Sequence, residues 1–285
     1  MCTRQRTLEQ TVATIRSHHG PGAIHRASDQ HRPTVLPTGF PALDEALAGG
    51  FPLGRFSELA GYGTAGQFTV AASTLAQAQR LERMVACYVD TGATVDLEAL
   101  VHCGVRLDLL AILRPHDFIH ALAMTGDLLQ SGSFAAVAFD RLDDQHLLAN
   151  PEALQALERA LRSWVPLLSR SLATLLWITT LAWPETPPQE LPLDALASVR
   201  LAFRRQAWLM RGPCVAGFES RVTVLKNKQG PAGHSVTLRF PVGAPSWRGS
   251  LHGTTPRPWS GATAVGAPSW RDAVYSQIPW QEKHP

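Results

Sequence analysis

The residues whose types and spacing point most clearly to chemistry lie in a glycine-rich stretch, residues 61–69, which reads GYGTAGQFT. The stretch follows a short apolar run and precedes an Ala- and Leu-rich helical segment. This order of strand, glycine turn and helix N-terminus forms a phosphate-binding loop, for which the pattern is G-x-x-x-x-G-K-[ST]. Gly61 and Gly66 occupy the two glycine positions. Gln67 stands where the phosphate-contacting lysine belongs, and Phe68 where the Mg²⁺-binding hydroxyl belongs.

Two further residues are candidates for a nucleotide–metal site. Thr69 supplies a hydroxyl one position beyond the expected one, and Asp140 closes the apolar run SFAAVAFD. A carboxylate at the end of a buried parallel strand is a possible Mg²⁺ ligand. The alternative is a structural role for Asp140, with its carboxylate held by backbone N–H groups. The residue types leave both readings open, and residual nucleotide binding through the backbone amides of the loop also stays open.

Lysine is rare in this chain, which makes one pair of lysines conspicuous. Of the 26 basic residues only Lys226, Lys228 and Lys283 are lysines. Lys226 and Lys228 are two positions apart in a β-like run, so their side chains are expected on one side of a strand. A compact ammonium group kept twice suggests a specific contact. The alternative is a solvated strand end.

Periodicity along the chain predicts an α/β fold. Leu8, Val12 and Ile15 have helical spacing within residues 7–19, and the sequence GPG then ends this helix. Apolar runs alternate with helical patterns from about residue 55 to residue 181, which is typical of a parallel sheet with helices on both faces. The runs predict strands at 55–60, 84–90, 109–113, 133–140 and 174–180. Helices are predicted at 69–83, 96–103, 116–130 and 152–171.

The last hundred residues have a different character. Alternating runs at 198–204, 220–227 and 235–240 predict antiparallel strands added to one sheet edge. Beyond residue 241 the chain is rich in Gly, Pro, Ser and Trp, which predicts a largely disordered tail. VGAPSWR occurs at residues 242–248 and again at 265–271. The repeated Trp247, Arg248, Trp270 and Arg271 either anchor a partner or reflect a duplication in an unconstrained linker.

Composition limits the class of protein. The chain has 285 residues, 45% hydrophobic and 17% charged, with a net charge of +3. This is enough apolar material for one large core and only permits contact with nucleic acid, since a dedicated binder concentrates its basic residues. Four scattered cysteines suggest a reducing compartment, and we expect neither a signal peptide nor a membrane span. The expected location is the cytoplasm, in association with the nucleoid.

The chain resembles the bacterial RecA recombinase family over roughly residues 8–240. The likeness rests on PTGFPALDEALAGGFPLGRFSEL, YVDTGATVDLEALVHCGVRLDLL, ALAMTGDLLQSGSFAAVAFD, LASVRLAFRR and GFESRVTVLKNK. It implies a RecA-like phosphate-loop core at residues 36–241. It also implies an oligomerisation segment at residues 1–35, in which Ile15 and Ile24 contact a neighbouring protomer, followed by the tail at 242–285.

The same resemblance marks which functional positions of the family have changed. The catalytic glutamate falls at Gly92, the adenine-stacking aromatic at Ala99, and the amide that senses the γ-phosphate near Thr179 to Leu181. Loss of the lysine, the metal hydroxyl and the water-positioning acid together removes the means of phosphoryl transfer. The resemblance therefore implies a pseudo-ATPase with no catalytic residue, no metal site and no required cofactor.

The resemblance implies that this chain retains the residues with which RecA proteins contact a neighbouring protomer. Lys226 and Lys228 match two lysines that reach a neighbour's nucleotide across the protomer interface, which suggests capping or decoration of a recombinase filament. Among RecA paralogues the chain looks most like the ImuA proteins (sometimes described as SulA-like). Those act with an ImuB-like translesion polymerase complex in the SOS response, so translesion synthesis and mutagenesis would be the setting. Self-association is also expected to be possible.

Two other functions stay open. The chain could be an ATPase or recombinase of its own, with Thr69 and Asp140 binding Mg²⁺. It could instead be a DNA-binding accessory protein. However, the loops at 141–152 and 182–192 are acidic and would repel phosphates, so only weak or indirect DNA binding is expected. Trp183 could stack on a base or be a partly buried loop residue.

Overall fold

The structure is a computed structural model, and it describes residues 3–20, 23–24, 34–80, 85–143, 149–181 and 195–241. All of them belong to one compact unit, residues 1–246. The four predicted tail anchors, Trp247, Arg248, Trp270 and Arg271, lie outside the described residues, as does Trp183. No helix in the described part of the chain is long and apolar enough to cross a membrane.

An eight-stranded sheet forms the centre of the fold. The ten strands of the described residues are β1 Val35–Leu36, β2 Phe51–Pro52, β3 Phe56–Tyr62, β4 Val85–Asp90, β5 Leu110–Leu113, β6 Phe134–Asp143, β7 Thr174–Leu181, β8 Val199–Arg211, β9 Cys214–Asn227 and β10 Ser235–Pro241. The sheet order is β10-β9-β8-β3-β7-β6-β4-β5, and β1 pairs with β2 separately. Strands β5, β4, β6, β7, β3 and β8 run parallel, whereas β9 and β10 are antiparallel additions at one edge.

Helices cover both faces of the sheet. They are α1 Thr3–His19, α2 Pro41–Ala46, α3 Gln67–Arg80, α4 Leu97–His102, α5 Phe118–Ser131 and α6 Pro151–Ser171, with a 3₁₀ turn at Leu107–Leu109. Successive strand residues point to opposite faces. In β4, Tyr88 therefore joins the core under α3 and α4, whereas Val89 joins the core under α5 and α6. The apolar strands are buried on both sides, as parallel strands between helical layers must be.

Side-chain caps fix where three of the helices begin. Asp96, Asp117 and Asn150 are the N-cap residues of α4, α5 and α6, and each side chain accepts a hydrogen bond from the backbone N–H three residues later. Such a bond satisfies one of the helix N–H groups that has no intrahelical partner. At the other end of α5, Gly132 adopts φ +65°, the left-handed conformation that ends a helix.

The predicted fold class is confirmed, with three local differences. The strand that was expected to end at Asp140 continues to Asp143, because β7 reaches Leu181 and pairs with the extra residues after a register shift. The hairpin pair β1–β2 was missed, since two-residue strands carry no periodicity. The predicted strand 198–204 extends to Arg211, because β9 provides a partner along its whole length. The prediction that this strand is an antiparallel addition was wrong for its pairing with the central sheet, since β8 runs parallel to β3.

Helix α1 forms where the spacing predicted it, but its apolar side chains lie outside the core. None of residues 5–19 is buried. Leu8 is exposed, and Val12 and Ile15 are half-buried. The chain then turns back, and the guanidinium of Arg16 donates to the carbonyl oxygen of Ile24 at 3.3 Å. An amphipathic helix with an uncovered apolar stripe is consistent with the predicted oligomerisation role, which stays a prediction.

Candidate functional site

The glycine-rich loop lies where a phosphate-binding loop would lie. It leaves the carboxyl end of the central strand β3 and enters α3, in which residue 67 is the first helical position. The backbone N–H groups of a helix N-terminus attract anions. The position of the loop is therefore suited to phosphate, and its side chains decide whether phosphate can enter.

Gln67 turns its side chain back into the loop. Its Oε1 accepts a hydrogen bond from the backbone N–H of Ala65 at 3.1 Å, and its Nε2 donates to the carbonyl oxygen of Gly63 at 2.7 Å. The residue is only 5% exposed. A Cβ atom placed on Gly61 would lie 2.7 Å from the Gln67 amide. The loop therefore encloses its own side chain, and any side chain at position 61 would displace the Gln67 amide.

A tyrosine links Phe68, which stands where the family has its Mg²⁺-binding hydroxyl, to Asp140, the candidate Mg²⁺ ligand. Phe68 packs edge-on against Tyr88, with ring centroids 6.1 Å apart. The Tyr88 hydroxyl donates a hydrogen bond to Oδ2 of Asp140. Asp140 sits at the register shift between β6 and β7, and strand irregularities of this kind redirect side chains beside functional sites. One partner of the Asp140 carboxylate is therefore a phenol, which the sequence did not predict.

The remaining predicted site positions are spread around the carboxyl ends of the strands. Thr69 is half-buried in the first turn of α3, Gly92 is exposed, and Ala99 is half-buried in α4. Asp90, at the end of β4, is buried and accepts hydrogen bonds from the backbone N–H groups of Thr94 and Val95. Within the described residues, no three His, Cys, Asp or Glu side chains cluster closely enough to hold a metal ion.

A buried ion pair that was not predicted lies beneath the loop. Glu58 in β3 and Arg200 in β8 are direct cross-strand neighbours, and Nε of Arg200 contacts Oε2 of Glu58. Thr179, near the expected γ-phosphate sensor, is buried and donates its hydroxyl to Oε1 of Glu58 at 3.3 Å. Thr179 therefore bonds to the core of the sheet. The sequence signal for this pair was a charged residue among the apolar residues of β3 and of the first half of β8.

Two contacts tie the loop to the antiparallel edge of the sheet. Gly66 has φ +101°, and a Cβ atom there would collide with the ring of Phe240 in β10. Nη1 of Arg205 in β8 donates to the carbonyl oxygen of Thr64 at 3.1 Å. The second glycine of the motif is therefore required by its own conformation and by an aromatic neighbour, whether or not phosphate binds.

The predicted interface lysines have partners within their own chain. Nζ of Lys226 donates to the carbonyl oxygen of Ala195 at 3.1 Å, and Nζ of Lys228 donates to that of Leu196 at 3.4 Å. The two side chains do point to one side, as their spacing predicted. They contact the segment that leads into β8, far along the chain from Ile15 and Ile24.

Known proteins resemble this chain in both sequence and fold. The model of the RecA N-terminal domain matches residues 6–243. The RecA proteins of Symbiobacterium thermophilum and a Nocardioides strain are 33% and 32% identical, over 80% of this chain and 71% of their own lengths. The crystal structure of the RadB recombinase superposes with a TM-score of 0.58 at 19% identity, covering 72% of this chain and 96% of that one. The RadB likeness concerns the fold alone.

Proposed function

The chain belongs to the RecA family, and we propose that this member is a non-catalytic accessory protein that acts through contacts with other proteins of DNA repair. The observation that carries the proposal is the position of Gln67. Its amide occupies the interior of the loop and bonds to Ala65 and Gly63, where a bound phosphate would need the backbone N–H groups.

The substitutions support each other. Phe68 replaces a hydroxyl and packs against Tyr88, whose own hydroxyl bonds to Asp140. Lysine, hydroxyl and carboxylate act on phosphate and Mg²⁺ as a unit in phosphate-loop enzymes. Here the three positions hold an amide, an apolar ring and a carboxylate already bonded to a phenol. Because phosphoryl transfer depends on positioning and charge neutralisation, this set gives no means of catalysis.

The role that fits such a protein is that of an adaptor in the bacterial DNA-damage response, resembling the ImuA proteins. Its partners would be RecA filaments, an ImuB-like translesion polymerase complex, or both, with DNA contacted weakly or indirectly. The exposed apolar side of α1, with Ile15 half-buried, and the lysines Lys226 and Lys228 would supply the filament-type contacts. The proposal places the protein in the cytoplasm, near the nucleoid.

Nucleotide binding is the first test. A fluorescent ATP analogue is titrated with Mg²⁺ into the full chain, and phosphate release is followed with and without single-stranded DNA. We expect neither micromolar binding nor turnover. Asp140→Ala is compared with Asp127→Ala, which changes an exposed carboxylate on α5. Mg²⁺-dependent binding with turnover that is lost only in Asp140→Ala would refute the proposal.

That outcome would support the second candidate function, a weak ATP-dependent DNA-binding RecA paralogue. The retained Thr69 hydroxyl and Asp140 carboxylate favour this candidate. Thr69 lies in the first turn of α3, and Asp140 lies at the register shift within β6. The Tyr88 hydroxyl would have to leave Asp140 before Mg²⁺ could bind there.

The filament contact is tested separately, by co-sedimentation with RecA filaments. Lys226→Ala combined with Lys228→Ala is expected to reduce the bound fraction several-fold. The bonds that the two lysines donate to the carbonyls of Ala195 and Leu196 lie at the protein surface, so the circular dichroism of the variant should stay unchanged. Arg159→Ala, an exposed cation on α6, is the matched control. Equal sedimentation of the double variant and the wild type would exclude capping through these lysines.

A further inference from the structure

The hairpin of β8 and β9 extends beyond the end of the neighbouring parallel strand β3. Strand β3 pairs with β8 only as far as Phe203 and ends at Tyr62. Residues 204–221, which we call the ribbon, continue as a hairpin in which β9 pairs with β8 on one side and, over residues 217–221, with β10 on the other. Among the described strands, residues 204–211 of β8 therefore have a backbone partner on one side only. Their other edge presents backbone N–H and C=O groups.

Two exposed apolar side chains lie along this open strand. Trp208 is 51% exposed and Met210 is 56% exposed. The Trp208 ring packs edge-on against Phe218, with ring centroids 6.0 Å apart, and Phe218 stacks on Phe240 in the core. Proteins usually protect open strand edges with charge, proline or a covering element, because such edges pair with other chains. An exposed Trp and Met on an open edge indicate a surface that a partner covers.

The charge of the ribbon is strongly one-sided. Its exposed charged residues are all arginines, at positions 204, 205, 211 and 221. Its one acidic residue, Glu219, already bridges to Arg239 at 3.3 Å. Arg204 and Arg221 are direct cross-strand neighbours, and like charges so placed repel. Arg204 and Arg221 line a cavity of about 550 Å³ together with Tyr62 and Thr223. A ligand of negative charge would remove this repulsion.

From these features we propose that the ribbon is a docking site for an acidic, partly apolar protein segment, which adds as a strand to the free edge of β8. Strand addition is a common mode of peptide recognition, in which backbone bonds give affinity and side-chain pockets give specificity. Acidic side chains of the segment pair with the ribbon arginines, and its apolar side chains contact Trp208 and Met210. The inference goes beyond the pseudo-ATPase proposal, since it holds whether or not the loop binds nucleotide.

Nucleic acid fits the ribbon less well than a peptide. A phosphodiester backbone carries acceptors but no donors, so it leaves the carbonyl groups of a strand edge unpaired. One side of the Trp208 ring is already covered by the guanidinium of Arg205, 4.3 Å from the ring centroid, and this reduces the area available for base stacking. Met210 offers an apolar contact and no stacking platform.

A second copy of the chain is also disfavoured as the occupant. Edge-to-edge pairing of two ribbons would bring the arginines of one copy against those of the other. The residues that follow β10 contain more basic than acidic side chains, so they give no charge complementarity either. The charge of the ribbon therefore selects an acidic partner.

The test uses an exposed cysteine at the tip of the ribbon. Cys214 pairs with Arg211 beside the hairpin turn, whereas Cys87 and Cys103 are buried. A Cys2→Ser variant of the full chain is labelled at Cys214 with an environment-sensitive fluorophore. The probes are a decapeptide of alternating Glu and Leu or Tyr residues, the same peptide with Lys in place of Glu, and oligo-dT.

We expect the Glu peptide to change the fluorescence at micromolar concentrations, and the Lys peptide and oligo-dT to bind at least tenfold more weakly. Truncation of a central Trp anchor weakens binding by about tenfold or more. Trp208→Ala is therefore expected to do so, and Met210→Asp to act in the same direction. Leu172→Ala, an equally exposed leucine on the far side of the fold, should have no effect. Amide hydrogen exchange of residues 206–210 should slow when the Glu peptide binds.

Each other outcome overturns the inference. Failure of the Glu peptide to bind, or equal binding of the Lys peptide, excludes recognition by charge. Tighter binding of oligo-dT would make the ribbon a nucleic-acid surface. A dimeric wild type with a monomeric Trp208→Ala variant would make it a contact between copies. Peptide binding without slowed exchange at residues 206–210 would exclude strand addition.

Discussion

Replacement of Gln67 by Ala tests whether this side chain stabilises the loop. The substitution removes a hydrogen bond from the Ala65 N–H and one to the Gly63 carbonyl oxygen. Residue 63 is exposed, so water can replace the amide there, whereas residue 65 is fully buried and its N–H loses its partner. A typical hydrogen bond contributes about 1 kcal/mol, and an unsatisfied buried donor costs about 1–3 kcal/mol. The expected loss of stability is about 2 kcal/mol.

Urea and thermal denaturation measure this loss. For a domain of this size, about 2 kcal/mol corresponds to a fall in Tm of about 4–8 °C. The urea midpoint should fall with an unchanged m value, since the surface exposed on unfolding is the same. Gln130→Ala makes the same chemical change at an exposed position of α5 and corrects for helix propensity.

A second measurement tests whether the Gln67 side chain occupies the site at which the loop would bind an anion. Removal of the Gln67 side chain frees the Ala65 N–H at a helix N-terminus, where anions bind. Pyrophosphate should therefore raise the Tm of Gln67→Ala but not that of the wild type, because a ligand stabilises only the state that binds it. If the variant is as stable as Gln130→Ala, or if pyrophosphate stabilises both proteins equally, Gln67 does not fill the loop.

Three further predictions concern stability. Glu58→Ala leaves the Arg200 guanidinium without the Glu58 carboxylate and should lower the free energy of unfolding by about 3–5 kcal/mol. The control Glu158→Ala, on the exposed face of α6, should lower it by under about 0.5 kcal/mol. Comparable urea midpoints of the two variants would contradict this. Burial raises the pKa of the Cys87 and Cys103 thiols from 9.0 to about 12. Their contribution to stability is full below pH 9 and is lost as the pH rises above it, since only the unfolded state then ionises. The free energy of unfolding should fall by about 1.4 kcal/mol per thiol and pH unit, and a variant with Ala at both positions should lack this slope. Leu172 ends α6 in the left-handed conformation, at φ +57°. Leu172→Gly removes the backbone strain of this conformation and should raise the free energy of unfolding by about 1 kcal/mol. An unchanged or lower Tm would show that the Leu172 side chain stabilises the fold by more than the strain costs.

Much of the architecture could be predicted because it depends on local pattern. The apolar run that ends at Asp90 and the helical spacing of residues 152–171 each identify one element. Strand length was predicted less well, because it depends on a partner strand. Asp140 lies within a strand that β7 extends, and residues 205–211 lie in a strand that β9 extends.

In the candidate site, too, some residues could be identified from the sequence and others could not. The residue types at positions 67 and 68 could be read directly, because the glycine spacing locates the loop. Tyr88, which holds Asp140, could not be identified, since it is one of several buried residues in an apolar run. The polar pair Glu58 and Arg200 was detectable only as a charge within each of two apolar runs, and the sequence gives no sign that the two residues meet.

The sequence by itself determined the chemistry available at the loop: glycines that permit the turn, and neither a lysine nor a hydroxyl at positions 67 and 68. The tertiary structure alone decided what occupies the space. It turned Gln67 inward and brought Tyr88 to Asp140 across 52 residues of chain. It also placed Phe240 against Gly66 and left the Trp208 edge open. Periodicity and spacing act over a few residues, whereas these contacts depend on which strands become neighbours, and that is settled only when the whole sheet assembles.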